Sequence, residues 1–572
     1  MIVETQELRP MARAPRRRWA VPVIATVVAL TVAIGGVVGA YLVNGRGVGA
    51  GELASWAPAD PAIYAEVDLA LPGAQRTNVA ALLDHWSALN PDLLLGDEFA
   101  GWVDEMVGDS RAPVSYADDL APWLSGTFAL VMADWPVMAS ADPMGMRQSV
   151  PEVGIVIGSR DDAAAAAFAD QLRDLAVEEG STFSSSDHGG ATIWSLDIDP
   201  ATEQFATNAE VAYAVTDGAV VIATGEDEVG RLLDTHAGDT SLATDGAAGR
   251  LIAALPADRI GLSVMDTRAP MQQLVDEVAA NTPELAANLE AYLAGTPTMT
   301  VVALSVGADR VVVTSAAEAV DGPLAFQPLS EALAERIPAG SLFYASAPNV
   351  GPSVAAGIDA FLAALAADEM TSEMADQWLA EFESATGVAP RDVFNWADDM
   401  AVYAGWSGTE AVGGMIALTD DPAAASAQID ALVDALAGMA GASIHVERNG
   451  AVTRLIGSGM PIVEIAVGDD AVTITVGSGE TGRLAAVEPA SSLAGEDRPA
   501  AAIAALGGAA TDPSVWLDLA GIIDTVAGQL PQGDGLSPER MVMANLEPLD
   551  HLVAVTRVVD GITITCMELV VR

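Results

Sequence analysis

The chain is written twice, and this constrains its fold more than any other feature. Pro58-Ala59 with Tyr64-Ala65 returns as Pro338-Ala339 with Tyr344-Ala345. Tyr116-Ala117-Asp118-Asp119-Leu120 returns as Trp396-Ala397-Asp398-Asp399-Met400, at the same offset of 280 residues. The run AYAVTDGAVVIATGEDEVGRLL from Ala212 matches EIAVGDDAVTITVGSGETGRLA from Glu464, and Asp309 matches Asp560 in the segments that close each half. Order is preserved and the offset only shrinks, as duplication followed by loop shortening would leave it. A period this long means tandem domains, not a solenoid of short repeats. The expected division is two homologous domains, residues 52–320 and 336–572, joined by 321–335.

Local patterns supply the elements of each half. Ile63–Leu69 reads as a strand from its β-branched and aromatic content. Ala74–Leu89 reads as an amphipathic helix with Val79, Leu82, Leu83 and Trp86 on one face. Asp421-Pro422 suits a helix start, with Asp as cap and Pro in the first turn. Val211–Val215 and Ala219–Thr224 form a hairpin by the turn dipeptide Asp217-Gly218, and Val301–Val306 with Arg310–Thr314 form another. Helices mixed with neighbouring antiparallel strands predict an α+β class: two mixed α/β domains with mainly antiparallel sheets.

Before the repeats, Trp19 to Val43 contains no charged side chain, and Arg16-Arg17-Arg18 precedes it. As a helix it would reach roughly 37 Å, enough for a bilayer core of about 30 Å. Arg9, Arg13 and the three arginines at 16–18 place residues 1–18 in the cytoplasm by the positive-inside rule. The expectation is a single-pass protein of the cell membrane, its bulk extracytoplasmic behind a Gly-rich tether at 44–51. A cleaved signal peptide is the rival, but its apolar core is about 7–15 residues long. Gly35 and Gly39 form a GxxxG that would let two membrane helices pack as a homodimer.

The formal net charge is −54, and all 25 basic residues are Arg. So acidic a chain is unsuited to nucleic acid, which demands clustered cations. With 51% hydrophobic residues the exported part is not disordered. Cys566, the only cysteine, can form no intrachain disulfide.

Two stretches carry a family resemblance: Pro58-Ala-Asp-Pro-Ala-Ile-Tyr-Ala-Glu-Val-Asp68, and Asp119-Leu-Ala-Pro-Trp-Leu-Ser-Gly126 followed by an apolar strand. Behind an N-terminal anchor they resemble the bacterial family catalogued as domain of unknown function 3352. The second half departs from it, with Val402-Tyr403 in place of Pro122-Trp123. The resemblance implies a membrane-tethered or exported protein of unassigned activity and transfers no catalytic residue.

Few residues carry chemistry. Gly477-Ser-Gly479-Glu-Thr-Gly482 has dinucleotide-fingerprint spacing. Its counterpart, Gly225-Glu-Asp-Glu-Val-Gly230, lacks the middle glycine, and acids in both loops would repel a pyrophosphate. The five histidines, His85, His188, His236, His445 and His551, are dispersed, without HExxH, and no GxSxG is present. The paired acids Asp118-Asp119 and Asp398-Asp399 suit acid–base work or a hard cation, or, more plainly, a cap before an apolar strand. A longer connection in the first half, around Asp134–Pro151, holds Trp135, Met138, Met144 and Met146, an adaptable set for partner binding. No cofactor is indicated. The sequence therefore reads as a non-enzymatic binding or scaffold module of the bacterial cell envelope, meeting an envelope protein or ligand. The alternative is an envelope hydrolase whose site assembles from distant residues.

Overall fold

Among the described residues, twenty strands hydrogen-bond into one sheet, every pair antiparallel. This is a computed structural model. It describes residues 51–572 except 87–113, 136–151, 198–210, 280–285, 321–324, 530–537 and some shorter stretches.

The first half contributes β1 (Ile63–Asp68), β2 (Leu124–Met132), β3 (Val153–Ser159), β4 (Thr182–His188), β5 (Ala191–Asp197), β6 (Val211–Thr216), β7 (Ala219–Ala223), β8 (Gly261–Asp266), β9 (Met299–Gly307) and β10 (Arg310–Glu318). The second contributes β11 (Phe343–Ala347), β12 (Met400–Ser407), β13 (Glu410–Leu418), β14 (Ile444–Asn449), β15 (Val452–Gly457), β16 (Val463–Val467), β17 (Ala471–Val476), β18 (Ser514–Leu517), β19 (Leu549–Val559) and β20 (Ile562–Val571). From one edge the order is β4-β5-β6-β7-β3-β2-β1-β8-β9-β10. From the other edge it is β14-β15-β16-β17-β13-β12-β11-β18-β19-β20. The two series are the same path taken twice, and they meet where β10 pairs with β20. There Thr314 lies opposite Cys566 and Ser315 opposite Thr565. Two lone bridges, Pro58 with Ser241 and Pro338 with Ser492, repeat the likeness.

This corrects the expected fold class. The halves are not two domains each with its own sheet, because the sheet runs through both. The physical reason lies in the edges. An unpaired β10 or β20 would leave a row of N–H and C=O groups open. Each closes the other's row, over nine residue pairs from Arg310 to Glu318. Leu82 and Val306 of the first half also share a buried cluster with Val571 of the second, with Trp86 and Leu549 packed against it.

The membrane expectation is corrected as well. Among the described residues no helix is long and apolar enough to cross a membrane. Pro422–Ala440, the longest, carries Asp430 and Asp434 and lies against the sheet. The segment Trp19 to Val43, with Gly35 and Gly39, lies outside the described residues. A single-pass anchor, and the cell-membrane placement that followed from it, are not supported by the fold.

Successive strand residues point to opposite faces, so one sheet can bury two cores. In the first half Tyr64, Val131, Val156 and Val221 lie under the helices Glu226–Ala237 and Gly246–Ala253. Their neighbours Phe128, Ile155, Ile157 and Val220 lie under the helix Asp162–Glu178. The second half repeats this, with Tyr344, Tyr403, Ile416 and Trp516 in one cluster. Ala417, Ile465 and Val472 pack with Ala425, Ile429 and Val433 of Pro422–Ala440 in the other. Local signals placed the hairpins. Asp217 and Gly218 have φ of 47° and 79°, Asp560 and Gly561 of 51° and 76°. Both pairs have the positive φ that a tight antiparallel turn of this kind requires.

Candidate functional site

The paired acids sit at matching places and hold different partners. Asp119 accepts the backbone N–H of Ser115 at 2.7 Å, and the Ser115 hydroxyl accepts the N–H of Asp118 at 3.4 Å. This closes the turn Tyr116–Leu120. Asp399 is buried and accepts the Ser330 N–H, the Ser330 hydroxyl at 2.7 Å and the Asn349 N–H at 3.3 Å. It ties the segment between the halves to the sheet. Burial, with Asp420 and Asp399 nearby, raises the Asp398 carboxyl above its ordinary range. Among the described residues no group of three or more His, Cys, Asp or Glu side chains is placed to hold a metal ion.

Of the Met-rich connection, Trp135 donates its indole N–H to the Asp266 carbonyl at 3.2 Å. Met138, Met144 and Met146 lie outside the described residues. Gly477 and Gly479 adopt φ of 119° and 78° between β17 and the helix Glu480–Ala485. β17 pairs antiparallel with both β13 and β16, so the parallel crossover of a dinucleotide site is missing there. Cys566 is a half-buried strand residue.

Sequence reading missed a buried Glu–Arg pair present in both halves. Glu228 and Arg231 pair across one helical turn, as do Glu480 and Arg483, and both glutamates are almost fully buried. The matching runs EVGR and ETGR carried that signal. The pairs differ in one contact. Glu480 accepts the Tyr403 hydroxyl at 2.9 Å. Tyr403 lies opposite Gly414 on β13, and the residue opposite Gly154 at the corresponding place in the first half is Val131, which has no hydroxyl. Accordingly, Glu228 keeps one carboxylate oxygen, Oε1, without a hydrogen bond. Burial raises its carboxyl, against the pull of Arg231. Because both halves keep the pair, it reads as part of the fold: it fixes the helix that follows β7 or β17 over the sheet.

Two histidines stand in polar clusters. His236 stacks on Trp56, centroids 3.8 Å apart and planes 4° from parallel, with the Ser55 hydroxyl 3.1 Å from Nδ1. Burial lowers the imidazole below its ordinary range. His551 meets Asp550 at 2.7 Å, and Arg498 joins Asp550 at 2.7 Å to Asp518 at 2.9 Å. The Arg498 guanidinium also lies over Trp516. These ion pairs cross from the helix Asp497–Ala505 to β18 and β19 and so hold that helix in place.

A concave feature lies on the second half. A cleft of about 590 Å³ is lined by Ala385, Thr386 and Gly387 at the end of the helix Glu369–Thr386, and by Ala431, Asp434, Ala435, Gly438 and Met439 of Pro422–Ala440. Helical spacing explains the second wall. Ala425, Ile429 and Val433 form the stripe buried on the sheet, and Ala431, Ala435 and Gly438 fall on the opposite side. Met439 is 71% exposed. Trp378 is 55% exposed and stands two turns before Ala385 on the same face, its ring 5.8 Å from Phe382. Met439 is thus an exposed large apolar side chain within the cleft, and Trp378 stands further along the helix that forms its other wall.

A family model described as Protein of unknown function (DUF3352) matches residues 95–532, most of the chain, and the chain belongs to that family. No curated protein and no solved structure matches it.

Proposed function

We propose that this member of the family of unknown function works by binding a partner, as a non-enzymatic module whose docking place is the cleft between Glu369–Thr386 and Pro422–Ala440. The observation that carries the reading is the cleft itself. Its volume, about 590 Å³, falls in the range of ligand sites, and its lining offers contact surface with a single carboxylate, Asp434. A catalytic site would set an acid, a base or a nucleophile in reach of one another inside such a space. Pro422–Ala440 rests on β14, β16 and β17, a rigid support that lowers the ordering cost of binding.

The test places a photo-crosslinking side chain at Met439 and illuminates intact cells. A discrete adduct is expected, and it should vanish when Ala435→Trp fills the cleft while circular dichroism stays unchanged. An adduct pattern indifferent to Ala435→Trp would refute the reading.

A second reading, as a hydrolase, is favoured by Ser55 and His236. A neutral imidazole beside a hydroxyl can act as a base toward it. Under this reading a fluorophosphonate probe labels Ser55, and Ser55→Ala and His236→Gln both abolish labelling. Lack of labelling in the unaltered protein would end it.

A further inference from the structure

We infer that the partner seated in this cleft is an amphipathic helix of another protein, with arginine or lysine flanking its apolar stripe; this rests on the binding reading above. Three features lead to it.

The first is shape. Both walls are helices whose backbone hydrogen bonds close internally, so the cleft has no strand edge to extend and must recognise side chains. That is the setting for a helix laid into a groove. Its floor is small at Ala385, Gly387, Ala431, Ala435 and Gly438, which lets a third helix approach closely and sink a large side chain between the two.

The second is the apolar surface. Met439, which lines the cleft, has an unbranched side chain that can reshape around an apolar guest, and Trp378, two turns before Ala385 on the same helix face, offers a broad, stiff surface to a guest that extends along that helix.

The third is charge. Glu381, one turn from both Trp378 and Ala385 on the same face, is exposed, with no ion pair among the described residues. Asp430 and Asp434 flank the other wall and share one cation, Arg448, at 3.5 and 2.6 Å. Three carboxylates against one guanidinium, on a chain of net charge −54, attract a basic partner and repel an acidic one. Long basic side chains at the edges of the guest helix would reach those carboxylates while their stems cover the rim.

The experiment uses the full chain and three labelled helical peptides of roughly five turns. One carries a Leu/Phe stripe flanked by Arg and Lys, one the same stripe flanked by Glu, and one the basic composition with the stripe scrambled. Fluorescence anisotropy should show the basic amphipathic peptide binding at least about tenfold more tightly than either other, a difference of roughly 1.4 kcal/mol. Its affinity should fall as salt shortens the screening length. Glu381→Arg should weaken it, and Ala435→Trp should remove it. Equal binding of the acidic and basic amphipathic peptides, lost on Ala435→Trp, would overturn the partner chemistry and leave the cleft reading standing. Binding unchanged by Ala435→Trp would overturn both. Vesicles of zwitterionic phosphatidylcholine that bind through Trp378 and Met439 more strongly than any peptide would overturn the inference in favour of a lipid surface.

Discussion

Glu66 shows how burial and hydrogen bonding divide a single side chain. It is 3% exposed and accepts the N–H groups of Glu52 at 3.0 Å and Leu53 at 3.4 Å, with the Tyr64 hydroxyl closing on its other oxygen. Burial raises its carboxyl above the ordinary 4.5, and those hydrogen bonds pull it back only in part. The sign of the stability effect follows. The folded state holds the proton more firmly than the unfolded state does, so stability is full below 4.5 and declines as pH rises toward the folded value. Glu66→Gln keeps the acceptor oxygen and removes the titration. Urea midpoints measured from about pH 4 to pH 8 should fall for the unaltered protein and fall less for the variant. Parallel curves would show that folding leaves the Glu66 carboxyl unshifted.

At the scale of elements, the two halves solve one packing problem with one residue type. Gly154 on β3 and Gly414 on β13 hold corresponding places in the sheet order. A Cβ at Gly154 would stand 2.5 Å from Cδ1 of Leu232. At Gly414 it would stand 2.8 Å from the Ile474 carbonyl oxygen and 2.9 Å from Cγ2 of Thr475. A carbonyl in a central strand cannot turn aside as the end of a leucine can. Gly414→Ala should therefore cost about 1–3 kcal/mol, the range for overpacking, and more than Gly154→Ala. Equilibrium unfolding of the two variants measures the difference, and the reverse order would mean that the backbone of β17 gives way more easily than Leu232. Both glycines stand in apolar strand runs, so the sequence marked the strands and left the crowding invisible.

At the scale of the molecule, the β10–β20 ladder makes one body of two copies. Ser315, at its centre, pairs with Val302 on one side and Thr565 on the other. Proline there removes a donor from a central strand, where it is scarcely tolerated. Calorimetry of the unaltered protein should give one transition for the described halves. Ser315→Pro should divide it in two and lower at least one midpoint. Two transitions already present in the unaltered protein would mean that the ladder couples the halves weakly.

The sequence by itself determined the duplication, the tight turn at Asp217-Gly218, and the acidic, Lys-free composition. Each is a local or compositional property, readable along the chain. The paired acids were legible as residues but not as partners: Asp119 closes its own turn, whereas Asp399 reaches back to Ser330. Only the tertiary structure decided that the copies share a sheet, because β10 and β20 are some 250 residues apart and strand pairing between copies leaves no periodic mark. It alone also brought the end of Glu369–Thr386 beside the outer side of Pro422–Ala440. The alanines and glycines that line that cleft look, in sequence, like ordinary helix filling. They line a cleft because the opposite stripe packs on the core and no described element covers the side that remains.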